Sequence, residues 1–166
     1  EHGLSKPAEI LRHLNTSVNE SLRKSEHDNY VRDGMDIALC KINLKSLKAE
    51  FSGAVNPLFI VRNGEPILIK GDRSGIGSEE SEKGLYTNHQ IALEKGDRIY
   101  IYSDGYADQF GGDKGKKMKT TNMRNKLLET AHLSMNDQRT QLLIYLQEWQ
   151  GSLAQVDDIC VIGVQV

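Results

Sequence analysis

The sequence has few cysteines, no long apolar run and little net charge, and each of these absences excludes a class of protein. Only two of the 166 residues are cysteine, and the formal net charge is −2. A dedicated nucleic-acid-binding domain would need a basic surface, so this charge argues against that class. No apolar run approaches the roughly 20 residues of a transmembrane helix. The first residues also lack the basic and apolar segments of a signal peptide.

The two cysteines, Cys40 and Cys160, both lie inside apolar runs that are typical of strands. We predict that both are buried free thiols in a reducing compartment, with a single disulfide as the alternative. Neither has a cysteine or histidine at the spacing of a zinc site. We therefore expect a cytoplasmic protein, or the cytoplasmic domain of a membrane-anchored sensor protein.

The remaining composition is that of an ordinary globular domain. Hydrophobic residues make up 38% and charged residues 27% of the sequence, and this length can bury a real core. We predict a single domain over residues 1–166. Because the sequence does not begin with Met, we expect it to be a piece of a longer polypeptide.

Apolar periodicity predicts an opening helix and then a series of strands. Ser5 and Pro7 mark the start of the helix, and its apolar stripe comprises Ile10, Leu11, Leu14, Val18 and Leu22. Alternating residues predict strands around 35–40, 47–51 and 86–93. Asn63-Gly64 predicts a tight hairpin turn between strands 58–62 and 67–70, and Pro66 places the second of them at a sheet edge.

The second half of the chain alternates between apolar and polar segments. Residues 71–84 and 111–119 are rich in glycine and polar residues, which indicates surface loops. Residues 98–102 predict a strand, and helices are expected from about 123 and from about 137, the latter ending at Gly151. The last run, 159–166, is apolar on both faces, which favours a central strand. This order predicts an α+β domain with mainly antiparallel sheets.

Two acidic steps lie at the ends of predicted strands. Asp104-Gly105 follows the apolar run 98–103, and Asp157-Asp158 precedes the run 159–166. If the two strand ends meet, their carboxylates form a site for Mg²⁺ or Mn²⁺, because hard cations prefer oxygen ligands. The alternative is that both steps only mark turns.

The order of several short motifs resembles a known family. These motifs are Asp33–Leu39, Phe51–Arg62, Gly75–Gly77, Lys95–Gly112 and Gln155–Gly163. From about Gly3 to Val166, the chain resembles the sporulation stage II protein E-like serine/threonine phosphatases, a branch of the metal-dependent type 2C (PPM) phosphatases. The resemblance implies two packed antiparallel sheets flanked by helices, with a two-metal Mn²⁺ or Mg²⁺ centre. It also implies a phosphorylated regulatory protein as substrate, in bacterial-type signalling such as sigma factor regulation.

The resemblance assigns roles to particular acids of this chain. Asp104 and Asp157 match the family's metal ligands, and Gly105 completes the first acidic step. Asp158 takes the place of a residue that is often Asn, so it is expected to support the site or to cap the strand. Asp108 is given a supporting role only.

The resemblance also shows a departure from the family pattern. The family has an earlier segment, an Asp followed by small residues and Gly, that supplies a bridging metal ligand; no match to it precedes the opening helix. An acid that some relatives use for a third metal would fall near Gly53-Ala54, where there is none. We therefore expect an incomplete N-terminal part of the fold, an inactive fragment and self-association through an exposed strand edge. A non-catalytic interaction domain and a small-molecule phosphohydrolase are the alternatives.

Two further features each have two interpretations. Lys114, Lys116, Lys117 and Lys119 form a basic cluster, which is either a solvated loop or a docking site for an acidic phosphoprotein. Ser103 stands beside Asp104, but no nucleophile-elbow motif surrounds it, so a strand-end packing role is favoured over catalysis.

Overall fold

The computed structural model describes residues 5–23, 34–78 and 86–166. The elements are α1 (Pro7–Arg23), β1 (Ile37–Asn43), β2 (Lys48–Ala54), β3 (Leu58–Arg62), β4 (Glu65–Ile69), β5 (His89–Ala92), β6 (Arg98–Tyr102), α2 (Gly105–Asp108), β7 (Phe110–Gly111), β8 (Lys116–Lys117), α3 (Thr120–Glu129), α4 (Met135–Gln150) and β9 (Val161–Gln165). All strand pairs with a defined register are antiparallel, so the predicted α+β class is confirmed. None of the helices in these described ranges has the length and apolar character to cross a membrane.

The chain forms two compact units, each with its own sheet. The described residues of Glu1–Leu58 and Leu68–Lys95 form the first unit, and Phe59–Ile67 with Gly96–Val166 form the second. The first contains α1 and a three-stranded sheet in the order β1-β2-β5. The second contains the helices α2 to α4 and most of a four-stranded sheet in the order β4-β3-β6-β9.

In the first unit, α1 buries one side against the sheet. Ala8 and Leu11 of the helix pack in a buried cluster with Ala54, Ile76 and Tyr86. The predicted helix is confirmed, but Ile10 is 37% exposed and does not join this cluster. The predicted stripe was therefore too wide at its N-terminal end. The side chain of Leu22 lies outside the described residues.

The hairpin between β3 and β4 is formed as predicted. Asn63 and Gly64 have φ angles of 51° and 79°, the two positive values that a tight hairpin turn requires. Pro66 lies on β4, which is an edge strand of the four-stranded sheet. Both predictions for this segment are confirmed.

The segment predicted as a surface loop over residues 71–84 is partly buried. Ile76 is completely buried and exchanges two backbone hydrogen bonds of 2.8 Å with Met35. This isolated bridge ties the segment to the chain before β1, so the loop prediction was wrong for that part. Residues 79–84 lie outside the described residues.

In the second unit, α3 and α4 contribute to a buried core with strands β3 and β6. The core comprises Phe59, Val61, Tyr100, Tyr102, Tyr106, Met118, Met123, Leu127, Leu142 and Leu146. Ser134 caps α4 by accepting a hydrogen bond from the Asp137 amide at 3.1 Å, and α4 ends before Gly151, whose φ is 57°. The helix stop predicted at Gly151 is therefore confirmed.

Among the strands of residues 5–23, 34–78 and 86–166, the last one is not central. β9 lies at the end of the sheet order β4-β3-β6-β9, and Ile162 is 50% exposed. Its apolar character therefore does not mean that strands flank it on both sides.

The prediction that both cysteines are buried was wrong for Cys160, since this free thiol is exposed. Cys40 is half-buried and also free, and burial raises its pKa to about 11.

The predicted polar loop over residues 111–119 is a small hairpin. β7 pairs with β8 in an antiparallel register. The hairpin is anchored on α4, because the Gly112 amide donates to the Trp149 carbonyl at 2.7 Å and the Trp149 indole donates to the Gln109 carbonyl at 3.0 Å. Met118 is completely buried. The prediction of a plain surface loop was wrong here because the anchoring partner, Trp149, is distant in sequence.

Candidate metal centre

The first acidic step lies where β6 ends and α2 begins. Asp104 occupies the N-cap position of α2, but its side chain makes no capping hydrogen bond. The Asp104 side chain is exposed, while Gly105, Tyr106 and Ala107 behind it are buried. The Tyr106 hydroxyl donates to the Leu142 carbonyl at 2.7 Å. The short helix is thus held firmly against the core, and the carboxylate before it faces outward.

The second acidic step lies just before β9. Asp157 and Asp158 are both exposed. The Asp157 carboxylate accepts a hydrogen bond from the Asp158 backbone amide at 2.7 Å. This contact fixes the orientation of the Asp157 side chain relative to the backbone of residues 157 and 158. One Asp157 oxygen, Oδ1, is used in this contact, and the carboxylate stays at the surface.

Ser103 joins the two strand ends. Its hydroxyl donates to the Asp158 carbonyl at 2.9 Å and accepts from the Cys160 amide at 3.0 Å. The Ser103 amide also donates to the Cys160 carbonyl at 3.0 Å. The hydroxyl therefore continues the β6–β9 ladder beyond the last regular pair, Tyr102 with Val161. The favoured packing role of Ser103 is confirmed.

Gly105 allows the two acidic steps to touch. A Cβ atom built on Gly105 would overlap the carbonyl oxygen of Asp158. Any residue with a Cβ at position 105 would require a shift of the backbone. This close approach explains why glycine follows Asp104. Together with Ser103, this contact places the backbones of the two acidic steps side by side at one rim of the sheet.

Asp108 has a different partner. Its carboxylate pairs with the ammonium group of Lys117 at 2.7 Å, and 37% of the Asp108 side chain is exposed. This pair connects the C-terminal end of α2 to strand β8. The structure thus directs Asp108 toward the hairpin, and its supporting role in metal binding stays a prediction.

The donor set fits a divalent cation by type but is small. Asp104 and Asp157 offer carboxylate oxygens, which suit Mg²⁺ and Mn²⁺. Among the described residues, no group of three or more His, Cys, Asp or Glu side chains is placed to hold a metal. Two carboxylates with backbone oxygens are few for tight Mg²⁺ binding, since this ion keeps several waters.

One pair near the rim has no signal in the sequence. Arg124 on α3 donates its Nε hydrogen to the Tyr102 hydroxyl at 2.6 Å and lies near the face of the ring. Burial raises the pKa of Tyr102, and the contact with Arg124 offsets part of this rise. Tyr102, two positions before Asp104 in the sequence, is therefore neutral and accepts this hydrogen bond from Arg124. The two residues are 22 positions apart, so no local pattern could have shown this pair.

Gln109 is a second residue that sequence reasoning missed. Its side chain is completely buried, and its amide donates to the carbonyls of Phe110 at 3.0 Å and Ala154 at 2.9 Å. The residue fixes the segment that leads into Asp157 against the end of α2. A single glutamine between Asp108 and Phe110 gives no periodic signal for such a role.

The four lysines of the basic cluster all lie on the β7–β8 hairpin or directly after it. Lys114, Lys116, Lys117 and Lys119 are exposed. Lys117 contacts Asp108, and the Lys119 amide donates to the Ala107 carbonyl at 2.7 Å. The cluster is therefore attached to α2, the helix that begins directly after Asp104.

Similar solved structures show which class of protein has this fold. The SiaA-PP2C domain of Pseudomonas aeruginosa is 26% identical with a TM-score of 0.86, and the match covers 99% of this chain and 63% of that chain. The phosphatase domain of the cell fate determinant SpoIIE from Bacillus subtilis is 18% identical, with a TM-score of 0.58 and coverage of 100% and 74%. The serine/threonine phosphatase PstP/Ppp of Mycobacterium tuberculosis is 16% identical, with a TM-score of 0.59 and coverage of 92% and 67%. The fold is that of PP2C phosphatase domains.

The family follows from the sequence match. Residues 1–166 match the family described as Stage II sporulation protein E (SpoIIE). The chain belongs to this family, and the resemblance read from its motifs is confirmed. The comparison with curated proteins gave no match. The chain spans less than two thirds of the length of the SiaA-PP2C domain.

Proposed function

We propose that this chain is part of a metal-dependent protein serine/threonine phosphatase domain whose metal ligands include Asp104 and Asp157. One observation carries the proposal: Ser103 and Gly105 bring the two acidic steps together at one rim of the sheet, with both carboxylates exposed. The family and the PP2C fold support it. When bound, Mn²⁺ or Mg²⁺ supplies an activated water and neutralises phosphate charge.

The residues of this chain have separable tasks in that reaction. Asp104 and Asp157 would hold the divalent cation, and Ser103 and Gly105 fix the backbone that positions them. No side chain near the rim needs to form a covalent bond to the phosphoryl group, because an activated water is the nucleophile. The Ser103 hydroxyl is already engaged in both directions.

We further propose that residues 1–166 alone are inactive as a phosphatase. Two carboxylates bind a divalent cation poorly, and a two-metal centre needs further acids. We propose that a longer form of the polypeptide supplies these acids. We also propose that the protein is cytoplasmic. Its proposed substrate is a phosphorylated regulatory protein in a bacterial-type signalling route. The proposal is supported by SpoIIE of Bacillus subtilis, a cell fate determinant whose phosphatase domain has a similar fold.

The alternative is a non-catalytic interaction domain that keeps the phosphatase fold. It is favoured because the described part of the chain has no group of three or more His, Cys, Asp or Glu side chains placed to hold a metal. The two functions differ in whether any form of the polypeptide hydrolyses phosphate esters.

The test is Mn²⁺-dependent hydrolysis of an aryl phosphate and of a phosphoserine peptide. We expect no turnover by residues 1–166 and clear turnover by a form extended at the N-terminus, because the extension would complete the ligand set. Circular dichroism of both proteins controls for folding. Folded proteins without activity in either length would favour the interaction domain, whereas equal activity in both would contradict the need for further ligands.

The basic hairpin leads to a second prediction. If Lys114, Lys116, Lys117 and Lys119 dock an acidic phosphoprotein, replacing all four with alanine should lower turnover of a protein substrate about tenfold or more at low salt. Hydrolysis of a small aryl phosphate should stay unchanged. The assay uses whichever length of the polypeptide is active, with phosphorylated casein as an acidic protein probe.

A matched control replaces four exposed lysines elsewhere, namely Lys45, Lys48, Lys70 and Lys95. This variant has the same change in net charge, so it separates local docking from general electrostatic attraction. An equal loss in both variants, or a loss on both substrates, would contradict docking by the hairpin.

A further inference from the structure

The loop that carries Asp157 is exposed along its whole length. Residues 151–158 lie between α4 and β9, and every one of them is exposed. Most of the hydrogen bonds of this loop are local; the Gln150 side-chain amide at the end of α4, for example, donates to the Leu153 carbonyl at 2.8 Å. A segment with so few buried contacts holds a side chain in place only where more distant parts of the chain anchor it.

Two anchors from outside α4 reach this loop in the described part of the chain. The Ser103 hydroxyl donates to the Asp158 carbonyl at 2.9 Å, directly after Asp157. The Gln109 side-chain amide donates to the Ala154 carbonyl at 2.9 Å, shortly before Asp157. Asp157 therefore lies between the two points at which the loop is tied down.

Gln109 is itself firmly held. The residue is completely buried and directly follows α2, the short helix that begins after Asp104. Its backbone carbonyl accepts hydrogen bonds from the Met118 amide at 3.0 Å and from the Trp149 indole at 3.0 Å. The Gln109 side chain thus links a fixed point next to the first acidic step with the loop of the second one.

Packing alone does not account for a glutamine at this position. The Gln109 Nε2 group donates to the carbonyls of Phe110 and Ala154, but Oε1 is buried and has no hydrogen-bond partner among the described residues. An unpaired buried polar atom lowers stability, and an apolar side chain of similar size would avoid this loss. What glutamine adds is an amide with two donors, one of which reaches the loop.

We propose that Gln109 is a positioning residue that sets the metal affinity of the site by holding the Asp157 loop. The proposal rests on the proposed function, since it takes Asp157 as a metal ligand. Without the bond to Ala154 the loop has more conformations, and a binding cation must then order it. Groups that orient metal ligands contribute about 10-fold to 100-fold in affinity, and we expect the lower value because Ser103 still holds the other side.

The first test is calorimetric titration of Gln109→Met with Mn²⁺, in whichever length of the polypeptide binds the ion. The variant keeps the approximate size of the side chain and removes both donors, so the dissociation constant for Mn²⁺ should rise about tenfold. At saturating Mn²⁺, kcat for an aryl phosphate should change by less than about twofold, because the bound ion then orders the loop.

Gln150→Met is the matched control. It also removes a side-chain hydrogen bond to this loop, but one that joins Leu153 only to the adjoining end of α4. The Mn²⁺ dissociation constant of this variant should stay within about twofold of the wild-type value, as for an exposed local contact.

NMR order parameters of the metal-free protein give a readout that needs neither metal nor activity. In Gln109→Met, the backbone order parameters of residues 154–157 should fall below about 0.6, the value of a flexible segment, while those of α4 stay unchanged. Gln109→Glu provides a second variant if Gln109→Met does not fold. Burial favours the protonated form of the introduced carboxyl group, which keeps one donor, so its order parameters and Mn²⁺ affinity should lie between those of the wild type and Gln109→Met.

The outcomes separate this proposal from the proposed function. If the wild type binds Mn²⁺ and the Gln109 variants bind it equally well, the positioning role is overturned while Asp157 remains a candidate ligand. Unchanged order parameters in residues 154–157 would overturn it as well. If the wild type binds no Mn²⁺ in any length of the polypeptide, the proposed function itself is wrong, and this role is overturned with it.

Discussion

Asp104→Ala should lower Mn²⁺-dependent hydrolysis of an aryl phosphate by about a hundredfold or more. A metal ligand contributes to transition-state stabilisation of several kcal/mol, and 1.36 kcal/mol corresponds to about tenfold in rate. Folding should be nearly unaffected, because the Asp104 side chain is exposed and makes no capping hydrogen bond. The measurement uses the length of the polypeptide that shows activity.

Three comparisons sharpen this prediction. Asp157→Ala should cause a similar loss, whereas Asp158→Ala should retain most activity, because Asp158 contacts Ser103 through its backbone carbonyl. Asp113→Ala, a change at an exposed aspartate on the β7–β8 hairpin, controls for the loss of one negative charge.

A second readout keeps the assignment of Asp104 testable without activity. Mn²⁺ should raise the unfolding temperature of the wild-type protein, because a ligand that binds only the folded state stabilises it. This rise should be absent in Asp104→Ala. An unchanged rise, or full activity in the variant, would show that Asp104 is not a metal ligand.

Asp97→Ala should lower the free energy of unfolding by about 3 kcal/mol or more. Asp97 is 1% exposed, and its carboxylate receives two hydrogen bonds from Arg62, Nε to Oδ1 at 2.9 Å and Nη2 to Oδ2 at 2.7 Å. Removing one partner leaves a partly buried guanidinium without its counter-charge. Since 23% of the Arg62 side chain is exposed, water can solvate part of that charge. We therefore expect the loss in the free energy of unfolding to be close to about 3 kcal/mol. Urea denaturation measures the change.

A surface pair gives the control for this measurement. Lys126 and Glu129 form an ion pair at 3.0 Å in which 67% of the Glu129 side chain is exposed. Glu129→Ala should change stability by less than about 0.5 kcal/mol. The double variant Arg62→Met, Asp97→Leu should be more stable than Asp97→Ala, since it removes both charges. A loss below about 1 kcal/mol in Asp97→Ala would contradict a structural role for the pair.

Features that depend on local backbone preference were predictable from the sequence. The Asn63-Gly64 turn requires two positive φ angles, which few other residue pairs adopt without strain. Strand β6 and the end of α4 at Gly151 were also predicted with nearly their observed bounds. The motif order further led to the family, because a sequence of short motifs across the whole chain is much more specific than any one of them.

Features that depend on distant partners were decided only by the tertiary structure. Apolar residues on both faces of β9 did not reveal that β6 is its one partner among the described strands. Ile76 is buried by a bridge to Met35, and the lysine-bearing segment forms a hairpin because Trp149 anchors it.

The candidate site combines both kinds of information. The sequence by itself determined the acidic steps, their place at the ends of two strands and the glycine after Asp104. Only the tertiary structure decided that Ser103 bridges the strands, that Asp108 turns to Lys117 and that Arg124 contacts Tyr102. The physical reason is that backbone preferences act within a few residues, whereas burial and hydrogen-bond partners depend on residues that only folding brings together.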